Sequence, residues 1–342
     1  MAIAIIATGG AAPPRRISNA ELAEKIDTSD EWIRSHTGIG ARHIAGEETA
    51  CSDLALEAAR GALSMAVEGR LVPEKTVEEL AQTVDMIVLG TTSADYIGTP
   101  PTACIVQHRL GARNAGALDI AAACSGFIYG LEIASGLLAV APERRRALVI
   151  GSEILSRITD WTDRSTCVLF GDGAGAVLVE KIPGEGPVRR GLLRTILRAD
   201  GAGAEDLILR RGGSRNPYRS GETIDTPPHV EMNGQGVYNF AVKVVTKTIE
   251  ELLRAENITI NDVDRIVPHQ ANARIVTAAA KRLGIPEEKF FLNIEEYANT
   301  SSASIPIALD ELNRKGELKE GNLIMTIGFG GGLTYGGNLI RW

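Results

Sequence analysis

Paired cysteines are missing from this 342-residue chain: its four, Cys51, Cys104, Cys124 and Cys167, lie far apart with no C-x-x-C spacing. That argues against zinc motifs, redox dithiols and a disulfide framework, and it fits a reducing compartment. A basic excess is missing too. With 36 Lys and Arg against 43 Asp and Glu, the formal charge is −7 and the pI about 5.4, which does not suit a general binder of nucleic acid or anionic membrane. No run of about 20 apolar residues occurs. The stretch Ile3 to Ala7 is too short for the apolar core of a signal peptide and has no basic segment before it. A cytoplasmic protein is expected.

What is present is enough apolar residue to build a large core: 44% hydrophobic, 23% charged, mean hydropathy near zero. The chain also repeats itself. Val84-Asp85-Met86-Ile87-Val88 resembles Val263-Asp264-Arg265-Ile266-Val267, and Leu118-Asp119-Ile120 resembles Leu292-Asn293-Ile294. The run ending Phe170-Gly171-Asp172-Gly173 and continuing Ala176 to Val179 resembles the run ending Phe329-Gly330-Gly331-Gly332 and continuing Leu333 to Ile340. Three matches in the same order predict two equivalent halves, 1–182 and 183–342. Helical periodicity covers Asp53 to Val67, Phe127 to Val140, Val237 to Arg254, Ala273 to Leu283 and Ser304 to Leu312, alternating with strand-like runs as in a βαβ chain. The continuous apolar runs Met86 to Leu89 and Leu323 to Ile327 predict a sheet buried on both faces. Each half should close on an antiparallel hairpin at its glycine cluster. Ala199 to Val230, rich in Gly, Arg and Pro, reads as an irregular surface excursion.

Cys124 stands where the strand-like Ala117 to Ile120 meets the apolar helix-like segment from Phe127. A thiol there faces unpaired N–H groups at the positive end of a helix dipole, which favours the thiolate. The alternative is a buried cysteine serving as a small hydrophobe. Catalytic groups in parallel α/β sheets gather beyond the strand carboxyl ends. By the repeat, His269 after Arg265 to Val267 and Asn299 after Leu292 should therefore converge with Cys124. Each has a bland alternative: a structural histidine, and a helix cap ahead of Ser304. Arg274 with Lys281-Arg282 is either a docking patch for an acidic partner or an ordinary solvated helix face.

Cys, His and Asn in this chain order also occur in papain-like hydrolases, but those carry C-G-[SA]-C-[WY] around the cysteine near the mature N-terminus, unlike Ala123-Cys124-Ser125. Gly171-x-Gly173-x-x-Ala176 satisfies the loose dinucleotide pattern, yet a pyrophosphate site needs a helix next. The chain instead continues with Val177-Leu178-Val179 and then Pro183-Gly184, a strand and a turn.

These motifs together resemble the thiolase-like condensing enzymes, most closely the β-ketoacyl-acyl carrier protein synthase III family. The resemblance runs through Thr28 to Ile33, Ala121 to Phe127, Phe170 to Ala176, Pro268 to Asn272, Asn299 to Ser304 and Gly328 to Gly332. Thiolases carry a second cysteine near the C-terminus, whereas the last one here is Cys167. Elongating synthases have histidine where this chain has Asn299, and plant-type polyketide synthases have Gly-Phe-Gly-Pro-Gly in place of Gly328 to Gly332. The resemblance implies an αβαβα layered homodimer of two duplicated halves. Its implied reaction is the decarboxylative Claisen condensation of an acyl-CoA primer with malonyl-acyl carrier protein, starting fatty-acid synthesis without metal or redox cofactor. A related Cys-His-Asn enzyme of secondary metabolism, of polyketide or quinolone starter type, is the alternative.

The resemblance also implies roles. Cys124 would carry the acyl group, and the N–H groups of Cys124 and Gly331 would hold the oxyanion, with glycine required at 331 for close backbone approach. His269, neutral and protonated on Nε2, and the Asn299 amide would stabilise an enolate. Phe329 would pack over the malonyl carboxylate, Trp32 and Arg164 would flank the CoA adenine, and Asn272 would touch pantetheine. Thr99, at the end of the partner subunit's acyl channel, would leave room for long primers. Two departures stand out. His36 replaces an arginine common in the family, which Arg34 or Arg42 would have to replace at the diphosphate. Asn239 stands where some members place a basic docking residue, leaving Arg274, Lys281 and Arg282 for the carrier protein.

Overall fold

Residues 2–183, 190–223 and 228–342 are described by a computed structural model of the chain. Two sheets form its frame. The first contains β1 (Ala2–Ala11), β2 (Met86–Gly90), β3 (Gly116–Ile120), β4 (Arg146–Glu153) and β5 (Gly173–Ile182), in the order β1-β5-β4-β2-β3. Here β2 runs parallel to β3 and β4, while β5 is antiparallel to β4 and β1. The second contains β6 (Gly191–Ala199), β7 (Arg265–Pro268), β8 (Leu323–Gly330) and β9 (Thr334–Arg341), in the order β7-β8-β9-β6. Only the β7–β8 pair is parallel. Every residue of β2, β4 and β8 is buried, as the apolar runs Met86 to Leu89 and Leu323 to Ile327 predict for β2 and β8.

The helices cover those faces in three layers. α1 (Cys51–Glu68) packs outside the first sheet; α2 (Gly126–Ala139) and α5 (Ser304–Arg314) lie between the sheets; α3 (Gly234–Glu256) and α4 (Ala273–Leu283) pack outside the second. The result is the expected αβαβα stack. α2 has a single charged residue, Glu132, as a helix enclosed by two sheets requires. Its first residue has to be small: a Cβ on Gly126 would stand 3.2 Å from the Cα of Gly90 at the end of β2. That contact seats the start of α2 directly on the strand ends.

Three expectations are corrected. Leu292 to Ile294 is not a strand, because after one parallel bridge between Phe290 and Ile266 the side chain of Gln270 intercepts the ladder. Its amide donates to the Phe291 carbonyl at 3.2 Å and accepts the Asn293 N–H at 3.1 Å. The first half does not close on a hairpin at Gly171 either. β5 pairs with β4 from 20 residues upstream, and the run before Phe170 winds into a short helix, Arg164–Cys167, whose cap Asp163 accepts the Ser165 N–H at 2.9 Å. Finally, the excursion at 199–230 contains order: Leu207–Leu209 and Val230–Met232 pair as an antiparallel ribbon. Its residues 224–227 lie outside the described ones.

Candidate active site

Cys124 sits on a sharp elbow between β3 and α2. The elbow is a single 3-10 turn, Ala123–Ser125, entered through Ala123 in the left-handed region at φ +44°. A non-glycine residue there costs about 1–3 kcal/mol, strain of the kind that collects where a side chain must be aimed. The second sheet presses on the elbow from above. A Cβ on Gly330 would lie 2.6 Å from the Cys124 nitrogen, whereas one on Gly331 would come no closer than 3.2 Å, to the Leu207 carbonyl. The glycine that close approach demands is therefore Gly330, one residue before the expected position. Burial pushes the Cys124 thiol up to about 12. Burial thus works against the thiolate that the helix end favours.

His269 follows β7 directly and extends its ladder by donating its N–H to the Ile327 carbonyl at 2.7 Å. The ring stands edge-on to Phe329, with centroids 5.2 Å apart and an angle of 68° between planes. Nδ1 lies 2.7 Å from the Ser304 hydroxyl. Burial lowers the imidazole to about 3, so it is neutral at any working pH.

Asn299 is fixed by its backbone, which donates to the Leu169 carbonyl at 2.9 Å and accepts the Gly171 N–H at 3.0 Å. Its side-chain oxygen accepts the Ser301 N–H at 2.9 Å. The amide orientation is thereby set, with Nδ2 left for the cavity. It does not cap α5, whose N-terminal position is Ala303. All three side chains line one cavity of about 530 Å³, together with Phe329, Gly330 and Gly331. Its walls are mostly apolar, and the ribbon 207–209/230–232 supplies one of them.

The repeat is real, but its register differs from the sequence reading. A second elbow, Ser301–Ala303, enters α5 as the first enters α2. Ala122 and Thr300 share ψ 26°, Ala123 and Ser301 have φ +44° and +48°, and Gly126 and Ser304 both open the helix. Ser302, not Asn299, is therefore the counterpart of Cys124. It has no reactive role open to it: its hydroxyl donates to the Gly90 carbonyl at 2.7 Å and lies 3.0 Å from the Glu153 carboxyl.

Glu153 is fully buried, and burial raises its pKa against the opposing hydrogen bonds from Ser93 and Thr92. The Ser301 hydroxyl lies beside both the Cys124 thiol and the Glu153 carboxyl without making a well-formed hydrogen bond to either. The sequence reading passed over Glu153, Ser301 and Ser304. A charge closing the apolar run Ala147 to Ile150 was a usable signal for the first. Nothing local connects Ser304 to a histidine 35 residues away.

At the cavity's other end, Trp32 is sandwiched. Its ring stacks on His36, with centroids 4.4 Å apart and 17° between planes, and the Arg164 guanidinium lies over it at 4.2 Å. Arg34 is tied to Asp30 and Glu295, and Arg42 is fully buried against Asn19 and the Val168 carbonyl. Arg42 therefore cannot serve a phosphate in place of the residue at 36. Asn272 caps α4, accepting the Arg274 N–H at 2.9 Å, and its amide donates to the His36 carbonyl at 3.0 Å, which ties the two ends of the entrance together. Arg274, Lys281 and Arg282 are exposed on α4, with Arg274 nearest the cavity mouth. Asn239 accepts a hydrogen bond from Gln235 one turn earlier in α3. Thr99 is exposed on the loop before Thr102–Leu110 and takes no part in the cavity wall of its own chain.

A cavity that can hold an acyl-cysteine beside a neutral imidazole and a side-chain amide meets the needs of a carbon–carbon condensing enzyme on the thiolase-like fold. Comparison with known proteins narrows this. Residues 118–201 match the family described as 3-oxoacyl-[acyl-carrier-protein] synthase III, and residues 253–342 match its C-terminal region. The β-ketoacyl-[acyl-carrier-protein] synthase III of Syntrophomonas wolfei is 45% identical over 100% of this chain and 98% of its own length. The crystal structure of 3-oxoacyl-[acyl-carrier-protein] synthase III from Aquifex aeolicus superposes with a TM-score of 0.85 at 40% identity, covering 99% of this chain and 100% of that one. The priming β-ketosynthase of the R1128 polyketide pathway superposes with a TM-score of 0.86 at a lower 33% identity, covering 99% and 96%. The chain belongs to the β-ketoacyl-acyl carrier protein synthase III family of condensing acyltransferases, and the secondary-metabolism alternative is not favoured. Among the described residues, no helix is long and apolar enough to cross a membrane.

Proposed function

We propose that this chain, working in the cytoplasm, condenses an acyl-CoA primer with malonyl-acyl carrier protein, releasing CO₂ and CoA and giving β-ketoacyl-acyl carrier protein. The Cys124 sulfur attacks the thioester carbon, and the N–H groups of Cys124 and Gly331 take the oxyanion. The C–S bond to CoA breaks, the CoA sulfur departs with the proton that Cys124 gives up, as free CoA thiol, and acyl-Cys124 remains. The helix end and the Ser301 hydroxyl favour the charge that sulfur gains as its proton leaves. In the second half, the malonyl thioester oxygen accepts from His269 Nε2–H and Asn299 Nδ2–H as the carboxyl departs. The enolate carbon then attacks acyl-Cys124 and expels the sulfur. Phe329 keeps water from the departing carboxylate, a setting that favours neutral CO₂. No metal or redox step is needed.

The observation that carries this reading is the pair of uncharged donors. Burial holds His269 neutral, and the Ser301 N–H turns the Asn299 amide so that Nδ2 faces the cavity. A neutral donor can stabilise an enolate oxygen without abstracting a proton. Trp32, Arg164 and Asn272 receive the CoA end, while Arg274, with Lys281 and Arg282 along α4, meets the acidic carrier protein. Two copies of the chain, each made of the halves 1–182 and 183–342, pair as a homodimer through the first sheet. Support for this comes from β3, which ends that sheet with one edge uncovered among the described residues, beside exposed Tyr96 and Ile97. Thr99 would then face the partner's cavity. The decisive experiment is intact mass after exposure to a panel of acyl-CoAs, followed by malonyl-acyl carrier protein. A gain of one acyl group on Cys124 that the second substrate then discharges is the expected result, and absence of any adduct would overturn the reading.

A further inference from the structure

We infer that Ser304 is the positioning residue that fixes which nitrogen of His269 carries the proton: its hydroxyl donates to Nδ1 and so holds Nε2–H toward the cavity. The inference rests on the proposed decarboxylation chemistry and adds to it a residue with no assigned part. A buried neutral imidazole has one N–H, and the group bonded to its other nitrogen decides where that hydrogen sits. Here that group is a single hydroxyl. The Ser304 oxygen lies 2.7 Å from Nδ1, 2.8 Å from the Ser301 carbonyl oxygen and 3.3 Å from the Gln270 nitrogen. Both Ser304 and His269 are 2% exposed, so water does not compete.

The hydroxyl has one hydrogen and three neighbours. The Gln270 N–H can only donate, so it occupies a lone pair of the oxygen. The Ser301 carbonyl can only accept, but it already receives the Ser304 backbone N–H. Nδ1 has no such second partner in the structure's hydrogen bonds. The hydroxyl hydrogen is thus shared between two acceptors at nearly equal distance, the Ser301 carbonyl and Nδ1; sending it to Nδ1 leaves that carbonyl its bond from the Ser304 N–H, gives Nδ1 its one partner and leaves the ring hydrogen on Nε2, where the thioester oxygen needs it. The opposite arrangement, Nδ1–H donating to Ser304, would present a lone pair to that oxygen and repel it.

The same short turn then aims both donors: the Ser301 N–H orients the Asn299 amide, and Ser304, three residues on, sets the imidazole. Ser304 is also the first residue of α5, where alanine is an equally good helix former, so a purely structural role predicts little effect from its removal.

The test compares wild type, Ser304→Ala and His269→Ala by three readouts. These are the rate of Cys124 acylation by acyl-CoA, the rate of CO₂ release from malonyl-acyl carrier protein, and the ¹⁵N chemical shifts of the His269 imidazole. The last is assigned by its loss in His269→Ala. Wild type should show a protonated Nε2 and a bare Nδ1. Ser304→Ala should move the ring toward the other tautomer and slow CO₂ release by about 10- to 100-fold, the range found when a histidine that ligates a metal loses the group orienting it. Acylation should stay within about twofold. A wild-type spectrum with Nδ1 protonated overturns the inference, as does a Ser304→Ala enzyme whose two partial rates fall together or not at all. Should Ser304→Ala fail to fold, the wild-type spectrum decides alone. Undiminished CO₂ release by His269→Ala would instead sink the enolate reading beneath it.

Discussion

A single methyl group at residue 330 should do more harm than one at 331. A Cβ built on Gly330 lies 2.6 Å from the Cys124 nitrogen, 3.0 Å from its Cβ and 3.2 Å from the Ala123 Cβ. The first is closer than a Cβ can come and the other two are tight, and the nearest atom belongs to the backbone, so no rotamer change relieves the contact. Reaching an ordinary 3.4 Å requires the β8 end and the elbow to part by roughly 0.8 Å. Overpacking of this kind costs about 1–3 kcal/mol of stability. Its catalytic cost is larger, because the atom displaced is the Cys124 N–H proposed for the oxyanion, and a misplacement near 1 Å typically costs about 10²-fold. At Gly331, the nearest contact is a carbonyl at 3.2 Å, which a shift of a few tenths of an ångström relieves. The expectation is therefore a Gly330→Ala enzyme acylated about 100-fold more slowly, and a Gly331→Ala enzyme slowed by less than about tenfold. Both are read by single-turnover mass spectrometry with acyl-CoA, with thermal unfolding to separate stability from rate. Gly330→Ala at wild-type speed, or Gly331→Ala as the slower of the two, would show that the strands do not constrain the elbow as described.

Cys124→Ala should fold normally and form no acyl adduct; persistent labelling of that variant would move the acyl site elsewhere. Because burial lowers His269 from 6.5 to about 3, the folded protein binds fewer protons than the unfolded chain between those values. The stability this contributes is complete above pH 6.5 and is lost as pH falls toward 3. Between pH 7 and 5 the loss is about 2 kcal/mol, and His269→Asn should lack it, giving a flatter acid limb in chemical denaturation. Equal slopes would mean the ring is not held neutral. His36→Ala should raise KM for acyl-CoA about 3- to 10-fold through loss of the ring stacked on Trp32, with kcat and the KM for acyl-pantetheine unchanged; a matching rise for acyl-pantetheine would place His36 away from the nucleotide. Thr99→Phe should shift the preferred primer toward acetyl-CoA in a series up to dodecanoyl-CoA, and an unchanged profile would remove residue 99 from the acyl channel.

The layered fold was legible because its signals are long: apolar runs for strands covered on both faces, 3.6-residue periods for helices, and repeated segments in the same order. Cys124 and His269 were legible because each follows a strand end, where the topology gathers side chains; Asn299 was found through the repeat although it follows a short helix, Ile294–Tyr297. What escaped the sequence depends on partners distant in the chain. Leu292 to Ile294 has the composition of a strand, and only a glutamine 23 residues upstream, at the Asn293 nitrogen, prevents it. The upward push on the Cys124 thiol comes from the layers that bury it, which the local sequence does not reveal. The close-packed glycine is Gly330 rather than Gly331, since the side that faces the elbow depends on the twist of the β8–β9 hairpin. Arg42 looked available for a phosphate because arginine is usually exposed, yet it is fully enclosed.

The two elbows have a consequence for how the molecule comes alive. One bears the thiol and the other is fully spoken for by the Gly90 carbonyl and Glu153, but each leans on strands of the opposite origin: residue 330 on the Cys124 nitrogen, residue 302 on Gly151, where a Cβ would lie 2.2 Å from the Ser302 oxygen. Neither copy of the motif can reach its working shape in isolation. Activity thus serves as a checkpoint on assembly: a chain whose sheets have formed but not yet closed against each other holds every catalytic residue and no catalyst, so acylation of Cys124 during refolding times the closure itself.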